Sequence, residues 1–270
     1  MKKLFILLLL CTSVTFAQKD SFKKSLSGIK KVHIECDTDV TVVAGNTSEL
    51  TISEGRMVKD DSENYYWQSR SRKKGRNADR AKGLRAIYPG GEDNTDGFGF
   101  TISVENGVLT MKDLKSHFQR DAIKVTLPKD MDIDIHIVNL GSVKAEGFAS
   151  EVEVRTNVGE VDLIDVTGPI TAHTSTGTVT VVFGTVNQSA PITITSATGE
   201  IDVALPANTK ANLSVGTNGT VYTNFDFKAP DKKGLPNRSG MKNIDKQLNG
   251  GGVKIKLKSA MGDIFLRKKE

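Results

Sequence analysis

One stretch of this 270-residue chain concentrates the side chains best suited to binding chemistry. Arg70, Arg72, Lys73, Lys74, Arg76, Arg80, Lys82 and Arg85 fall close together, opposed only by Asp79, and Tyr65, Tyr66 and Trp67 stand just before them. Cationic groups beside aromatic rings can grip anionic groups and stack on sugars. The candidate anion-binding set is therefore Trp67, Arg70, Arg72, Lys73, Lys74, Arg76 and Arg80. The competing reading is a solvated loop, because charge runs usually are that.

The acids form a second pattern. Glu160 and Asp162, Glu200 and Asp202, and Asp263 each follow a glycine at the same offset. Stacked in register they would make a carboxylate column, whose oxygens suit Ca²⁺, or a pair able to act on a polysaccharide. Thr178 and Thr180 replace both acids in the middle copy, which would interrupt a metal ladder. The segment Asp93-Asn94-Thr95-Asp96-Gly97 hints at a calcium loop but lacks the alternating ligands and distant Glu of an EF-hand.

Other chemistry has few parts to work with. His33, His117, His136 and His173 form no H-x-H or H-E-x-x-H pair, and His33 and His173 alternate with apolar neighbours as outward strand residues do. There is no G-x-S-x-G elbow. No motif requires a cofactor or a metal, and the chain is expected not to be an enzyme. Without Lys2 and Lys3 of the leader the net charge falls from +5 to about +3, too mild to imply nucleic acid.

The elements that must position these residues announce themselves as a repeat. The phrases Thr156-Asn157-Val158-Gly159-Glu160-Val161-Asp162-Leu163, Thr174-Ser175-Thr176-Gly177-Thr178-Val179-Thr180-Val181 and Ser196-Ala197-Thr198-Gly199-Glu200-Ile201-Asp202-Val203 share one plan. Ser259-Ala260-Met261-Gly262-Asp263-Ile264-Phe265-Leu266 repeats it near the end, with weaker copies at Gly141 and Gly219. Apolar pairs spaced by two keep register with each glycine, as in Val152/Val154 before Gly159 and Val161/Leu163 after it. Such pairs face one side of a strand. Two short strands and a glycine corner predict an all-β fold, a parallel β-helix or β-solenoid of ~20-residue coils, with each glycine permitting a positive φ. The alternative is a β-sandwich. Leu213 and Val215 fall out of register with Gly219, which predicts a bulge there.

The ends add a compartment. Lys2 and Lys3, an apolar run from Leu4 to Phe16, and Ala17 read as a secretory signal peptide over 1–17. The run is shorter than the ~20 residues of a membrane span. Leu9 and Leu10 before Cys11 fit a lipoprotein site poorly, and loss of the leader would leave Cys36 as a lone, buried thiol. Residues 18–122 are expected to form an N-terminal β segment with a basic insertion at 54–97, and 123–270 the strand-repeat domain with an insertion at 228–252.

The Gly-Glu-Ile-Asp-Val and Gly-Asp-Ile-Phe-Leu phrases resemble those of the bacterial putative adhesins, exported β-strand-repeat domains akin to auto-transporter adhesin head domains. The leader ending Thr-Phe-Ala-Gln is similar to those common in Bacteroidetes. The resemblance covers roughly Ile123 to Leu266 and implies a β-helix-like fold and an envelope location, with no catalytic residues to carry over. The expected function is a non-catalytic exported binding or structural scaffold, periplasmic first and secreted or cell-surface second. Its partner would be an anionic envelope glycan or lipid, or another envelope protein. The alternative is a carbohydrate-active β-helix enzyme.

Overall fold

Alternating apolar residues dictate strands that bury one side, and the computed structural model consists of such strands throughout. It describes residues 21–59, 65–69, 84, 86–115, 122–227 and 242–269. Among them are twenty-one strands and no helix. The strands form two sheets, one of 11 strands (sheet A) and one of 10 (sheet B).

The centre of the molecule is a run of coils. Strands β9 (Asp132–Leu140), β11 (Val152–Val158), β13 (Ile170–Thr176) and β15 (Ile192–Ser196) lie in sheet B. The intervening β10 (Val143–Glu146), β12 (Val161–Val166), β14 (Val179–Phe183) and β16 (Ile201–Pro206) lie in sheet A. Each strand pairs in parallel with the next of its own sheet, so Val143, Val161, Val179 and Ile201 stand in one row. The fold is all-β as expected. The two alternatives meet in it: the connectivity is that of successive coils, and the two sheets face each other across a core as a sandwich's do. Val152, Val154, Ile170, Ile192 and Ile194 from one sheet are completely buried, as are Val161, Leu163, Val181, Ile201 and Val203 from the other.

Both ends of the stack are threaded. Towards the N-terminus, β1 (Phe22–Ser25), β2 (Lys31–Cys36), β3 (Val40–Gly45), β4 (Glu49–Lys59), β5 (Tyr65–Ser69), β6 (Phe100–Glu105), β7 (Val108–Asp113) and β8 (Ala122–Pro128) precede the central coils. The β2–β3 coil inserts between β9–β10 and β7–β8, parallel to both. The chain then leaves β16 for β17 (Ala211–Thr217), β18 (Val221–Thr223), β19 (Lys242–Leu248), β20 (Val253–Ser259) and β21 (Ile264–Lys269). The last coil, β20–β21, slots between β15–β16 and β17–β18. The expected insertion at 228–252 falls between β18 and β20, and residues 228–241 of it lie outside the described residues. Its later part, β19, returns antiparallel to β17 and caps sheet B. Strands from both sides of residue 123 share one buried core.

One local expectation is corrected. No bulge interrupts β17, which pairs continuously with β20 from Ala211↔Val253 to Thr217↔Ser259. The lost register lies in the corner, which is one residue shorter between Thr217 and Gly219 than between Ser259 and Gly262. The interval expected as the basic insertion, 54–97, opens inside β4, whose Gly55 to Lys59 pair antiparallel with β5.

Glycine at the corners answers two demands rather than one. Gly159 and Gly177 take φ of +153° and +146°, which few side chains tolerate. Gly199 and Gly262 show no such positive φ, yet a Cβ there would fall 1.7 Å from the Gly177 carbonyl oxygen and 2.1 Å from that of Gly199. Close stacking of successive corners excludes any side chain at these two positions. Beside the glycines runs a column of hydroxyls. Thr156 donates to the Gly141 carbonyl at 3.1 Å, Thr174 to Gly159 at 3.1 Å, and Ser196 to Gly177 at 3.1 Å. Ser259 donates to Gly199 at 2.8 Å and Thr217 to Gly262 at 2.6 Å. The column satisfies carbonyls that the turn removes from the ladder.

Candidate functional site

Because every core-facing position of the coils is apolar or a buried hydroxyl, ligand chemistry is confined to the outward rows. The register of the pairs assembles those rows from residues far apart in sequence.

On sheet A, one row runs Lys144, Asp162, Thr180, Asp202, Phe265, Tyr222. The carboxylates expected to line up do so, with Thr180 between them as the interruption. Asp202 is engaged by Arg267, whose Nε and Nη2 donate to both of its oxygens at 2.8–3.0 Å. The Arg267 guanidinium also lies 5.3 Å from the Phe265 ring centre, and Phe265 stacks on Tyr222 at 5.1 Å. At the other end Asp162 borders a groove of about 590 Å³ with Lys144, Glu160, Asp39 and Ser142. Burial pushes the Asp162 carboxyl above its ordinary range, against a hydrogen bond from Thr180 and the charge of Lys144. The corner acids are occupied structurally: Asp263 accepts the Thr220 backbone N–H at 2.7 Å, and Asp39 that of Ser142 at 2.8 Å. Among the described residues no group of three His, Cys, Asp or Glu side chains converges on a metal position. In the Asp93–Gly97 turn, Asp93 accepts from the backbone of Thr95 and Gly99 at 2.8 and 2.9 Å, so its carboxylate is a local brace.

Sheet B divides into two halves. The half near β2 is ionic. His33 Nδ1 lies 2.8 Å from Asp134 Oδ2, Lys112 pairs with Glu35 at 3.0 Å, and Glu153 holds Arg155 and, at 3.5 Å, Lys31. The Asp134 hydrogen bond raises the His33 pKa against its burial. Burial works against the Asp134 charge, but the bond and charge of His33 prevail and lower its pKa. His173 stands outward as expected, its Nδ1 2.8 Å from Thr195 Oγ1.

The other half is cationic. Val253-Lys254-Ile255-Lys256-Leu257-Lys258-Ser259 alternates strictly, so Val253, Ile255, Leu257 and Ser259 are buried and all three lysines are exposed. None of the three makes an ion pair among the described residues. On a strand they stand ~6.6 Å apart, and each adjacent pair repels by roughly 0.6 kcal/mol even at water's dielectric constant. No Asp or Glu occurs in β13, β15, β20 or β17, the four adjacent strands here. Their outward positions instead supply Thr171, Thr193, Thr195, Asn212 and Ser214. A groove of about 510 Å³ runs beside Lys254 and Lys256 against Asn212, Ser214, Asp245 and Gln247. Lysine often guards sheet edges, but β20 is an interior strand, flanked by β15 and β17. Sequence reasoning missed this face, although lysine at every second residue of the phrase was its signal.

The basic cluster that sequence reasoning favoured is placed only in part. Trp67 lies on β5, opposite Met57 of β4. Arg70, Arg72, Lys73, Lys74, Arg76 and Arg80 lie outside the described residues. So do residues 1–17, expected from the sequence to be a signal peptide. No helix of the described residues is long and apolar enough to cross a membrane.

No protein-family model matches the chain, and no curated protein does. Two solved structures do. A putative cell adhesion protein from Clostridium sporogenes is 11% identical, with a TM-score of 0.46, over 92% of this chain and 99% of that one. A putative adhesin from Bacteroides fragilis is 14% identical, with a TM-score of 0.31, over 92% of this chain and 96% of that one.

Proposed function

We propose that this chain is an exported, non-catalytic, adhesin-like binding protein of the bacterial envelope, and that the outward face of sheet B around β20 is its contact surface. The observation that supports this most directly is the row of three lysines, unpaired among the described residues, on an interior strand with no acid on β15 or β17 beside it. A fold needs no such row, since outward positions of an interior strand accept any polar residue. A contact face for an anionic partner does need it. The 1–17 leader supports export, to the periplasm first and the cell surface or medium second. The cluster Arg70–Arg80 remains a second candidate anion contact.

The test is co-sedimentation of the protein starting at Gln18 with envelope fractions at low and high salt, beside a form lacking residues 69–85. Salt-sensitive binding by both forms supports the β20 face. Binding lost with residues 69–85 moves the contact to the basic cluster. Cleavage of any acidic polysaccharide in a panel by the purified protein overturns the non-catalytic reading. The groove at Asp162 favours that second reading, since Glu160 and Asp162 line it together, a pair of acids such as polysaccharide chemistry uses. Asp162→Ala leaving such an activity unchanged would remove the assignment.

A further inference from the structure

We propose that β20 and its flanking strands β15, β13 and β17 form a binding site for a linear glycan carrying regularly spaced anionic groups. The inference rests on the binding-protein reading above and names the partner's chemistry. Lys254, Lys256 and Lys258 lie on one line, so their charges fit a partner whose anionic groups also recur along a line. Each lysine has hydroxyl or amide neighbours in register. Lys254 stands opposite Asn212, Lys256 between Ser214 and Thr193, and Lys258 beside Thr195 and Gly216. Hydroxyl and amide groups among point charges match a ligand that is itself hydroxylated between its charges.

The same surroundings argue against a lipid bilayer. Among the described residues, the exposed large apolar side chains are Leu84, Ile87, Val104, Val138, Leu140, Val158, Tyr222 and Met261, and none stands on β13, β15, β17, β19 or β20. This face has nothing to insert among acyl chains, and surface attachment to membranes draws on buried apolar area as well as charge. A protein partner is less well matched for a related reason, since an interface core wants apolar and aromatic anchors.

The experiment measures binding of the protein starting at Gln18 by calorimetry. The probes are oligogalacturonide hexamers (carboxylated), dextran sulfate fragments (sulfated), neutral xylo-oligosaccharides, and vesicles of phosphatidylglycerol with phosphatidylcholine. Binding of either acidic glycan, weakened by salt and absent with the neutral one, is expected, and which one binds identifies the anionic group. The triple variant Lys254→Gln, Lys256→Gln, Lys258→Gln should weaken it ~10–100-fold, at two- to five-fold per contact. The corresponding triple arginine variant should retain it. Thr193→Val with Ser214→Ala should cost a further ~3–10-fold through lost hydrogen bonds. Unchanged affinity in the glutamine variant, or equal binding of the neutral glycan, overturns the site. Vesicle binding without glycan binding overturns the ligand class while leaving the binding-protein reading intact. Failure to bind any probe or any envelope fraction sinks both.

Discussion

At the corners, the residues three places ahead of Gly159, Gly177, Gly199 and Gly262 are Thr156, Thr174, Ser196 and Ser259, hydroxyls that are all buried. On the outward row of sheet A, only a few residues further along the same coils, the matching positions hold Asp162, Thr180, Asp202 and Phe265. One position keeps its chemistry from coil to coil and the other changes it each time. The difference separates what stacking requires from what stacking leaves free. A corner glycine and its hydroxyl serve the backbone of the neighbouring coil, whereas the outward side chains of this row meet other side chains, as Asp202 meets Arg267. Function in such a fold must therefore be sought where the repeat varies.

The sharpest way to break that contrast is Gly177→Ala. It combines a φ of +146° with a Cβ only 2.0 Å from the Gly159 carbonyl oxygen, and should cost ~4 kcal/mol or more, or prevent folding. Gly250→Ala isolates the backbone contribution. Its φ is +85° with nothing within 4 Å, and a loss of only ~1–2 kcal/mol is expected in urea denaturation. Equal losses for the two would mean that close stacking does not govern the corner.

Next in size is Thr174→Val, which keeps shape and removes the hydroxyl given to Gly159. A buried carbonyl loses its partner, so ~1–3 kcal/mol should be lost. Thr171→Val, an exposed outward residue of the same strand, should stay within ~0.5 kcal/mol. Comparable values would erase the distinction between corner and row.

A smaller effect belongs to the ionic half of sheet B. The folded pKa of His33 lies above its ordinary 6.5, so its contribution is full below about that pH and fades as pH rises through the folded value. Asp134 lies below its ordinary 3.8, so its contribution is present above that pH and fades as pH falls through the folded value. The pair should stabilise most between about pH 4 and 6.5. Thermal melts across pH should show this maximum in the native chain and a flatter profile in Asp134→Asn. Asp134 Oδ1 is buried without a hydrogen-bond partner, which moderates the gain. Smallest of all, Lys256→Gln should leave melting unchanged within ~0.5 kcal/mol while weakening anion binding. A marked gain in stability would show how much the like charges cost the fold.

The coils were legible in the sequence because their signals are local and repeated. Val152/Val154 and Val161/Leu163 mark inward faces within a few residues, and the strands form where those pairs predict. The threading was not legible. That β20–β21 lies between two earlier coils is decided by long-range pairing such as Ile192↔Ile255, and Ile255 would alternate identically in any coil. Strand β5 escaped notice because Tyr65-Tyr66-Trp67-Gln68-Ser69 shows no apolar alternation; among the described residues it pairs with β4. The outward lysines of β20 were in plain view as alternation, but only its interior position turns them from ordinary solvated residues into a candidate site. Positive φ explained Gly177 correctly and Gly199 wrongly, because contact with the coil beneath cannot be seen in one phrase.

The register of the central coils also bears on how such a molecule changes over generations. Val161 and Val179 occupy equivalent places on neighbouring strands, eighteen residues apart. Removing residues 161–178 would join Glu160 to Val179 and set β14 beside β10 and β15 beside β11, with apolar residues still facing apolar residues. Copying the same segment would lengthen the stack by one layer at little cost, because each layer answers only to its neighbours. Slippage in a repetitive gene would then yield a family of viable lengths, and with each added layer a fresh pair of outward rows on which selection can write.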